Sequence, residues 1–382
     1  MIDFRLTEEQ LAMQKMARDF ADREIRPIAP QLDRDPEHRF SWDMMRKLAA
    51  NGFLRVAVPE EYGGLGLDRV TLAVIFEELA VGCAGVSIAA VGNTVVPFPV
   101  VTFGSEEQKR AFLPPLCDSQ EPRLCGYALT EPDAGSDITN LSTTARLQGD
   151  HYIINGTKRF ITNAGVAHLY LLFAATDRAL GPKGLSAFLI TADTPGLHIG
   201  KIEDKMGQRA AQNAELVLED ARVPKGSLLG KEGDGFKIIM RSLDEARPIY
   251  TGAIAVGLAR AAYETALKYC RERVQFGGPV FTQQAVSFKL ADMATSIETA
   301  RLLVWKACWL IDQNLPFTKE ASMAKFYCSD AAMKVTTDAV QLLGGYGYMR
   351  DFPVEKYMRD AKIMQIFEGT NEIQHLIIAR QL

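Results

Sequence analysis

The spacing of hydrophobic residues changes twice along this chain, and this double change limits the fold more than any other feature. Up to about residue 120, apolar residues recur at the three- and four-residue steps of amphipathic helices. From about 123 to 227 the apolar runs are short, rich in β-branched and aromatic residues, and separated by Gly, Asp and Asn, which indicates antiparallel strands with tight turns. Beyond about 230 the helical spacing returns.

This order of a helical, a β and a second helical block predicts an α+β protein. We place an N-terminal helical domain at 1–122, a middle β domain at 123–228 and a C-terminal helical domain at 229–382. Between Val286 and Ile311, apolar residues alternate in steps of four and three, which is typical of a long bundle or interface helix.

Composition and charge exclude several classes of protein. With 382 residues, 47% of them apolar, the chain can bury a large core, which excludes disorder. A net charge of −4 gives no overall basic field, which argues against nonspecific nucleic-acid binding as the main activity. The six cysteines are scattered without a C-x-x-C pair or a Cys/His cluster, so we expect no metal site and no disulfide framework. A polar, acidic start predicts no signal peptide and a cytoplasmic location.

The stretch 81–105 carries no charge but contains glycines and prolines, so we expect a buried helix and a cavity wall rather than a membrane span. Common catalytic and nucleotide-binding motifs are absent, including G-x-x-x-x-G-K-[ST], H-E-x-x-H, G-x-S-x-G and a strand-to-helix G-x-G-x-x-G. The five histidines lie far apart in the sequence. Acid–base chemistry therefore falls to carboxylates, unless the chain is not an enzyme.

Three segments are candidates for a functional site. The turn in YALTEPDAGSD (127–137) has backbone N–H groups and hydroxyls that suit a phosphate or a polar ring edge, or it is an ordinary turn. In NGTKRFITNAG (155–165), Phe160 and Thr162 suit a planar ring and its hydrogen bond, or ordinary core packing. In RDAKIMQIFEGTNEIQ (359–374), Glu368 lies in a sharp turn beside apolar residues, which favours a raised pKa and a general base, or it is a solvated loop residue.

Together these segments resemble the acyl-CoA dehydrogenase family over essentially the whole chain. TEPDAGSD, NGTKRFITN, RVQFG, QLLGGYGY and RDAKIMQIFEGTNEIQ carry the resemblance in their order and separations. Membership implies a helical N-terminal domain, a central β-barrel-like domain and a C-terminal four-helix bundle. It also implies FAD, an acyl-CoA substrate, an electron-transferring flavoprotein or similar acceptor, and a homotetramer built as a dimer of dimers.

The resemblance also implies roles for individual residues. Positions that match contacts to the flavin ring are Tyr127, Leu129, Thr130, Gly135, Ser136, Phe160 and Thr162. Many members have Trp in place of Phe160. Positions that match contacts to the FAD pyrophosphate and adenylate, in part from a neighbouring subunit, are Arg273, Phe276, Gln284, Gln341, Gly345, Thr370 and Glu372. Positions that match substrate contacts are Ser136, Asp244 and Arg247.

Glu368 matches the catalytic base of the family. It is expected to remove the α-proton of the thioester while a hydride leaves the β-carbon for flavin N5. Its own backbone N–H and a ribityl hydroxyl would support the carbonyl oxygen. Some members carry the base on the helix that here reads SLDEARP, but their Glu aligns with Ala246, whereas Glu245 lies one residue away, about 100° around a helix. We therefore assign the base to Glu368 and expect E245Q to stay active.

The acyl group is only partly determined by the sequence. We expect the wall of its pocket within 83–96, with Ser87, Ile88 and Val91 as lining residues on one helical face. No Arg or Lys lies between Val81 and Ser105, which disfavours a dicarboxylic substrate and leaves short, medium, branched or cyclic chains open. Two alternatives are a flavin monooxygenase or oxidase on the same fold, and a non-catalytic nucleic-acid-binding or structural member of the superfamily.

Overall fold

A computed structural model, in which residues 4–35 and 40–382 are described, confirms the α+β architecture. The N-terminal segment is helical, and its α-helices are α1 (Glu8–Phe20), α2 (Ala29–Arg34), α3 (Trp42–Ala50), α4 (Arg69–Gly82), α5 (Ala84–Val95), α6 (Pro97–Phe103) and α7 (Glu106–Phe112). At the start of α1 the Thr7 hydroxyl accepts from the Gln10 N–H and the Gln10 side chain accepts from the Thr7 N–H, which completes a capping box. The helix α7 ends at Phe112, two residues before Pro114, which begins a 3₁₀ turn.

The middle segment is one eight-stranded sheet. Its strands are β1 (Leu124–Ala128), β2 (Thr144–Gln148), β3 (His151–Thr162), β4 (Ala167–Ala175), β5 (Leu185–Thr191), β6 (Leu197–Ile202), β7 (Asn213–Pro224) and β8 (Leu228–Leu229). The order is β6-β7-β3-β2-β4-β5-β8, with β1 also paired to β4. Most pairs are antiparallel, but β4 runs parallel to β1 and, over one residue pair, to β2. Hence the sheet is mixed, and the expectation of antiparallel strands holds for all pairs except these two.

A short two-stranded hairpin and six further α-helices follow, and the last of these helices comes after a sharp turn. The hairpin is β9 (Val274–Gln275) with β10 (Gly278–Pro279). The helices are α8 (Gly235–Arg247), α9 (Ile254–Glu272), α10 (Gln284–Asp312), α11 (Thr318–Leu343), α12 (Val354–Lys362) and α13 (Asn371–Ala379). A π-helical turn, Pro248–Ala253, joins α8 directly to α9. Such turns are rare and are found mostly where a helix carries functional side chains.

The apolar stripe predicted on 286–311 is the buried face of α10. Its buried members are Leu290, Met293, Ile297, Ala300, Val304, Ala307 and Ile311. Because this face packs within the chain, against α9, α11 and α4, α10 is a bundle helix and the stripe cannot also serve as a contact between subunits. The opposite face of α10 carries exposed Phe288, Leu302 and Trp309.

The uncharged stretch in the N-terminal segment is core, as predicted. Residues Ala84–Phe103 form a helical run that is long and apolar enough to cross a membrane, but 83% of its most apolar window is buried inside the fold. It packs on neighbouring helices and on β1. Its hydropathy is therefore explained by its position between the helical and β segments.

The helical and β segments share a hydrophobic core, in which Phe20, Tyr152 and Met364 belong to one cluster. Two glycines allow the C-terminal segment to touch the others through backbone. A Cβ on Gly257 would lie 2.2 Å from the Glu77 carbonyl oxygen, and a Cβ on Gly207 would lie 2.4 Å from the Arg359 carbonyl oxygen. The boundaries at 122/123 and 228/229 stay predictions, since the core crosses both.

Candidate active site

A cavity of about 740 Å³ lies where the helical and β segments meet. Its walls come from α5, from the start of the β segment, from α8 with the π-helical turn, and from the turn between α12 and α13. The predicted site residues that line it are Ile88, Tyr127, Leu129, Thr130, Gly135, Ser136, Phe160, Thr162, Arg247 and Glu368. Residues separated by up to 280 positions in the sequence thus meet around one space.

Glu368 is held in a strained turn at this cavity. Its φ is +57° and that of the following Gly369 is +86°, so both residues adopt left-handed backbone, which is costly for a glutamate. The Gln374 side chain donates to the carbonyls of Glu368 and Gly369 at 3.2 and 3.0 Å, and Arg247 Nε donates to the Glu368 carbonyl at 3.1 Å. Thr370 then caps α13 by accepting from the Ile373 N–H. These contacts fix the turn and aim the carboxyl at the cavity.

Burial raises the pKa of the Glu368 carboxyl to about 7, against the positive charges of Arg247 and Lys325 and the hydrogen bond from Thr251, which all lower it. Thr251 Oγ1 lies 3.4 Å from Glu368 Oε2 and belongs to the π-helical turn. A carboxyl in this state changes its charge near neutrality, as a general base must. This agrees with the pKa shift expected from the apolar sequence around Glu368.

The substrate-contact prediction on α8 separates into two roles. Arg247 lines the cavity, whereas Asp244 lies behind it, forms an ion pair with its guanidinium and accepts a hydrogen bond from Thr318 at 2.7 Å. Asp244 therefore orients Arg247 and does not line the cavity itself. The neighbouring Glu245 is also turned away, in ion pairs with Arg69 and Arg241.

One wall of the cavity is the turn that follows β1, and a buried ion pair holds it. Lys158 Nζ donates to the Leu129 carbonyl at 3.0 Å and to Glu131 Oε1 at 2.7 Å. Both charged side chains are almost fully buried. Burial lowers the pKa of Lys158 to about 8, while Glu131 opposes that shift. The pair ties the Leu129–Thr130 wall to strand β3, so the wall is rigid before any ligand binds.

Phe160 and Thr162 lie on β3 beside that wall. The pairing of β3 with β7 shifts between Lys158 and Ile161, and Phe160 within this irregularity has a φ of +59° and leaves its ring 57% exposed. Thr162 Oγ1 accepts from Asn213 Nδ2 at 3.1 Å and from the Tyr250 hydroxyl at 3.4 Å. With its oxygen so occupied, Thr162 offers its own O–H as a donor to the cavity.

This wall suits the FAD that the resemblance implies. An exposed aromatic ring, apolar Leu129 and a hydroxyl donor on one side of a large cavity match a flat heteroaromatic ring with acceptor atoms at its edge. Tyr127 is locked by its hydroxyl contact to Ser242 Oγ at 2.8 Å. No group of His, Cys, Asp and Glu side chains suited to a metal ion occurs among the described residues.

The predicted pocket wall on α5 is only partly correct. Ile88 lines the cavity, but Ser87 and Val91 do not; Gly92, Val95 and Val96 line it together with Ile88. The Ser87 hydroxyl donates to the Phe76 carbonyl inside the core. Every residue of α5 is buried, so the helix has no polar face to show which side meets the cavity.

The remaining predicted cofactor residues lie elsewhere. Arg273, Gln341 and Gly345 line a second, open hollow of about 710 Å³ beside α9 and α10. Phe276 is 94% exposed at the tip of the β9–β10 hairpin, and exposed Gln284 begins α10. Thr370 and Glu372 lie at the start of α13 and line neither space. The structure thus leaves these residues apart from the flavin wall within one chain.

Several residues that shape the site carry no role in the sequence interpretation. They are Lys158, Tyr250, Thr251, Lys325 and Gln374. Lys158 and Gln374 lie inside the quoted motifs, so the motifs themselves point to them. Nothing local in the sequence marks Lys325 or the hydroxyls of the π-helical turn.

Comparisons with known proteins match nearly the whole chain. Three family models match successive parts of the chain: the acyl-CoA dehydrogenase N-terminal domain at 7–120, middle domain at 126–221 and C-terminal domain at 233–382. The mitochondrial short-chain specific acyl-CoA dehydrogenase of Homo sapiens is 46% identical over 378 residues, which cover 99% of this chain and 90% of that protein.

Solved structures agree as well. The butyryl-CoA dehydrogenase of Megasphaera elsdenii superposes with a TM-score of 0.96 at 42% identity, over 100% of this chain and 99% of that one. A chain in a structure described as the electron-transferring flavoprotein of Acidaminococcus fermentans matches with a TM-score of 0.96 at 45% identity, over the same shares. A structure described as the FAD complex of PigA matches with a TM-score of 0.92 at 32% identity, again over 100% and 99%.

Proposed function

This chain belongs to the acyl-CoA dehydrogenase family, and from that premise we propose that it oxidises a short-chain saturated acyl-CoA to the 2-enoyl-CoA with Glu368 as the base. The observation that carries the proposal is Glu368 itself. It is a carboxyl with a pKa of about 7, held in a strained turn on the cavity that the predicted flavin-contact residues also line. Such a group can accept the weakly acidic α-proton of a thioester near neutral pH.

FAD is the cofactor of this oxidoreductase family. When bound, it would supply the acceptor for the hydride, and with it both electrons, that leaves the substrate. Leu129, Thr130 and Phe160 would hold the ring, and the Thr162 hydroxyl would donate to its edge. The wall they form is rigid because Lys158 and Glu131 tie it to β3.

The protein residues perform the proton chemistry. Glu368 accepts the α-proton, and we propose that its backbone N–H donates to the thioester carbonyl oxygen as negative charge develops there. Arg247 stays beside the turn, where its hydrogen bond to the Glu368 carbonyl keeps the base oriented. A bound acyl chain excludes water from the apolar end of the cavity, which makes the carboxylate a stronger base.

The walls of the cavity favour an apolar acyl group. Ile88, Gly92, Val95 and Val96 from the α5–α6 region line it, and this region has no cation to pair with a distal carboxylate. A short chain is further supported by the similarity to the human short-chain specific enzyme and to butyryl-CoA dehydrogenase. We therefore propose a short, unbranched acyl chain and expect dicarboxylic substrates to be poor.

An anaerobic titration of the purified FAD-loaded protein tests this function. A panel of butyryl-, octanoyl-, isovaleryl-, cyclohexanecarbonyl- and glutaryl-CoA is added while the loss of flavin absorbance is recorded. We expect butyryl-CoA to reduce the flavin fastest and glutaryl-CoA slowest. If none of these thioesters reduces the flavin, or if the reduced protein consumes oxygen at the rate of turnover, the result would instead support a monooxygenase or oxidase.

We also propose that the functional unit contains more than one chain. Arg273, Gln341 and Gly345 match an FAD-phosphate site completed by a neighbouring subunit, and they lie in an open hollow beside exposed Tyr346. The outward face of α10 adds exposed Phe288 and Trp309. We propose a homotetramer with a dimer as the smallest active form. Sedimentation velocity that shows a fully active, FAD-loaded monomer would contradict this.

An electron-transferring flavoprotein is the proposed acceptor, supported by the match to a chain in the Acidaminococcus fermentans structure. Its reduction by the acyl-CoA-reduced enzyme can be followed directly by absorbance. The cytoplasmic location expected from the sequence stays a prediction.

A further inference from the structure

We infer that Lys325 is a positioning residue for Glu368, which anchors the turn that carries the base and places a buried positive charge behind its carboxylate. The inference rests on the proposed role of Glu368 as the base. It concerns a side chain of α11 that does not line the cavity and that the chemistry above does not use.

Lys325 is fully buried, yet its ammonium is held by a neutral group. Its Nζ donates to Asn371 Oδ1 at 2.7 Å, and among the described residues no carboxylate lies within 4.0 Å of it. Burying an ammonium without a contacting carboxylate is expensive. This cost indicates that the charge or the hydrogen bond of Lys325 has a role beyond local packing.

The hydrogen bonds of α11 hold both sides of the Glu368 turn. Asn371, just after the turn, donates to Ser329 Oγ at 3.0 Å and to Asp330 Oδ1 at 2.7 Å. Gln365, just before the turn, donates to the same Asp330 oxygen at 2.6 Å. Lys325 completes this set by binding the carbonyl oxygen of the Asn371 side chain. The strained backbone between Gln365 and Asn371 is thus fastened to one helix.

The charge of Lys325 also acts on the base. Burial raises the pKa of Glu368 to about 7, and Arg247 and Lys325 limit that rise. In return, burial lowers the pKa of Lys325 to about 8. The negative charges of Glu368, Asp330 and Glu372 oppose this shift, whereas the positive charge of Arg247 adds to it. The cation stabilises the carboxylate, which is the form that accepts the substrate proton.

The other groups that face Glu368 cannot provide a charge that changes near neutrality. Arg247, at the end of α8, keeps its guanidinium charge throughout the range. Burial raises the pKa of Tyr127 on β1 and of Tyr250 in the π-helical turn, so both stay neutral. Thr251 contributes only a hydroxyl. Arg247 and Lys325 are therefore the two cations that lower the pH at which the base becomes ionised, and Lys325 acts from outside the cavity.

The test is the pH dependence of anaerobic flavin reduction at saturating concentration of the acyl-CoA that reduces the flavin fastest in the panel above. K325M removes the charge and the hydrogen bond, K325Q keeps a donor for Asn371, and K325R keeps the charge. S329A weakens the anchor without changing any charge. K334M is the matched control, because Lys334 lies on the same helix but is 59% exposed.

We expect the acidic limb of the profile to move up by about one pH unit in both K325M and K325Q. K325R and K334M should keep the wild-type limb, and S329A should lower the rate without moving the limb. K325M and K325Q both remove the charge, so K325Q still tests the inference if K325M does not accumulate as folded protein.

A limb that stays at the wild-type pH in K325M or K325Q would overturn the inference and leave Lys325 as a structural residue. E368Q separates this result from a failure of the proposed function. If E368Q still reduces its flavin, the assignment of the base is wrong. If E368Q does not reduce its flavin, but the acidic limbs of K325M and K325Q still coincide with that of wild type, only the role of Lys325 is wrong.

Discussion

The cavity around Glu368 and the hollow around Arg273 have similar volumes, about 740 and 710 Å³, but their surroundings differ. The first is the more enclosed of the two, with walls from helices and sheet of the same chain, and burial raises the pKa of Glu368 within it. The second is lined in part by exposed side chains, such as Tyr346 at 50% and Met349 at 49% exposure. One chain therefore forms every wall of the cavity around Glu368, whereas the hollow around Arg273, where we propose that the cofactor phosphates bind, faces outward from the chain.

The largest expected effect is on the rate of flavin reduction and comes from a change in the cavity around Glu368. E368Q keeps the shape of the side chain and the backbone N–H, but it cannot accept a proton. We expect flavin reduction to slow by several orders of magnitude, beyond the ~10²–10⁴-fold typical of losing a general base, because no water replaces the carboxylate there. Stopped-flow absorbance checks the rate, and FAD content and acyl-CoA binding are expected to stay near wild type.

E245Q is the comparison for that result. Glu245 is engaged by Arg69 and Arg241 and does not line the cavity, so its variant should keep reducing the flavin even if it unfolds more easily. A reversed pair of results would move the base to α8.

The next effect belongs to the open hollow. R273A removes a charge-assisted contact to phosphate, and we expect the Kd for FAD to rise about 10–100-fold, since such a bond contributes about 1.5–3 kcal/mol. Titration of the apoprotein with FAD measures it. R271A is the matched control, because Arg271 is exposed two residues earlier and does not line the hollow. Equal weakening in both variants would mean that Arg273 has no specific contact.

Burial of Glu368 at its cavity also lowers the stability of the folded protein in a pH-dependent way. The pKa of Glu368 rises from 4.5 to about 7 on folding, so the folded state holds the proton more tightly and wild-type stability is lost as pH rises from about 4.5 to 7. E368Q lacks this loss. We expect it to unfold at the same urea concentration as wild type near pH 4.5, but to be about 1–2 kcal/mol more stable at pH 8, since the turn keeps some contact with solvent. Equal stability at pH 8 would show that the carboxyl is solvated.

The smallest effect comes from the π-helical turn. T251V removes a 3.4 Å hydrogen bond to Glu368 that lowers the pKa of the base. A bond of about 0.5 kcal/mol predicts a reduction that is a little under twofold slower near pH 7, where about half of the wild-type carboxyl is ionised, and equal about two units higher, where the carboxyl is ionised in both proteins. T251S, which keeps the hydroxyl, should match wild type. A defect in T251V that persists at high pH would indicate a packing change.

The sequence predicts best where the deciding residues are close together in the chain. An apolar run followed by Glu–Gly–Thr–Asn predicts a sharp turn and favours a raised pKa for Glu368, with a solvated loop residue as the alternative. The structure has the turn with positive φ, and burial raises that pKa to about 7. The change of period at both ends of the β segment likewise identifies the architecture, because strand and helix spacing are local properties.

Prediction fails where an element is buried on all sides or where a contact joins distant positions. Every residue of α5 is buried, so no polar residue marks the face that meets the cavity, and two of three lining residues were wrong. Lys325 reaches the turn only through Asn371, 46 positions later, and its neighbours SMAKFY form no motif. Parallel pairing of β1 with β4 is equally nonlocal.

The two tight glycine contacts determine what can be recombined in this molecule. Gly257 meets the backbone at Glu77, and Gly207 meets the backbone at Arg359, so the C-terminal segment is fitted to both others at the level of main-chain atoms. A chimera that takes its last third from a relative therefore needs matching main-chain paths at both places, and a larger residue at either one cannot be accommodated by a side-chain rearrangement. For directed evolution by fragment shuffling, the C-terminal segment is therefore expected to be exchangeable between relatives whose backbones follow the same path at these two contacts.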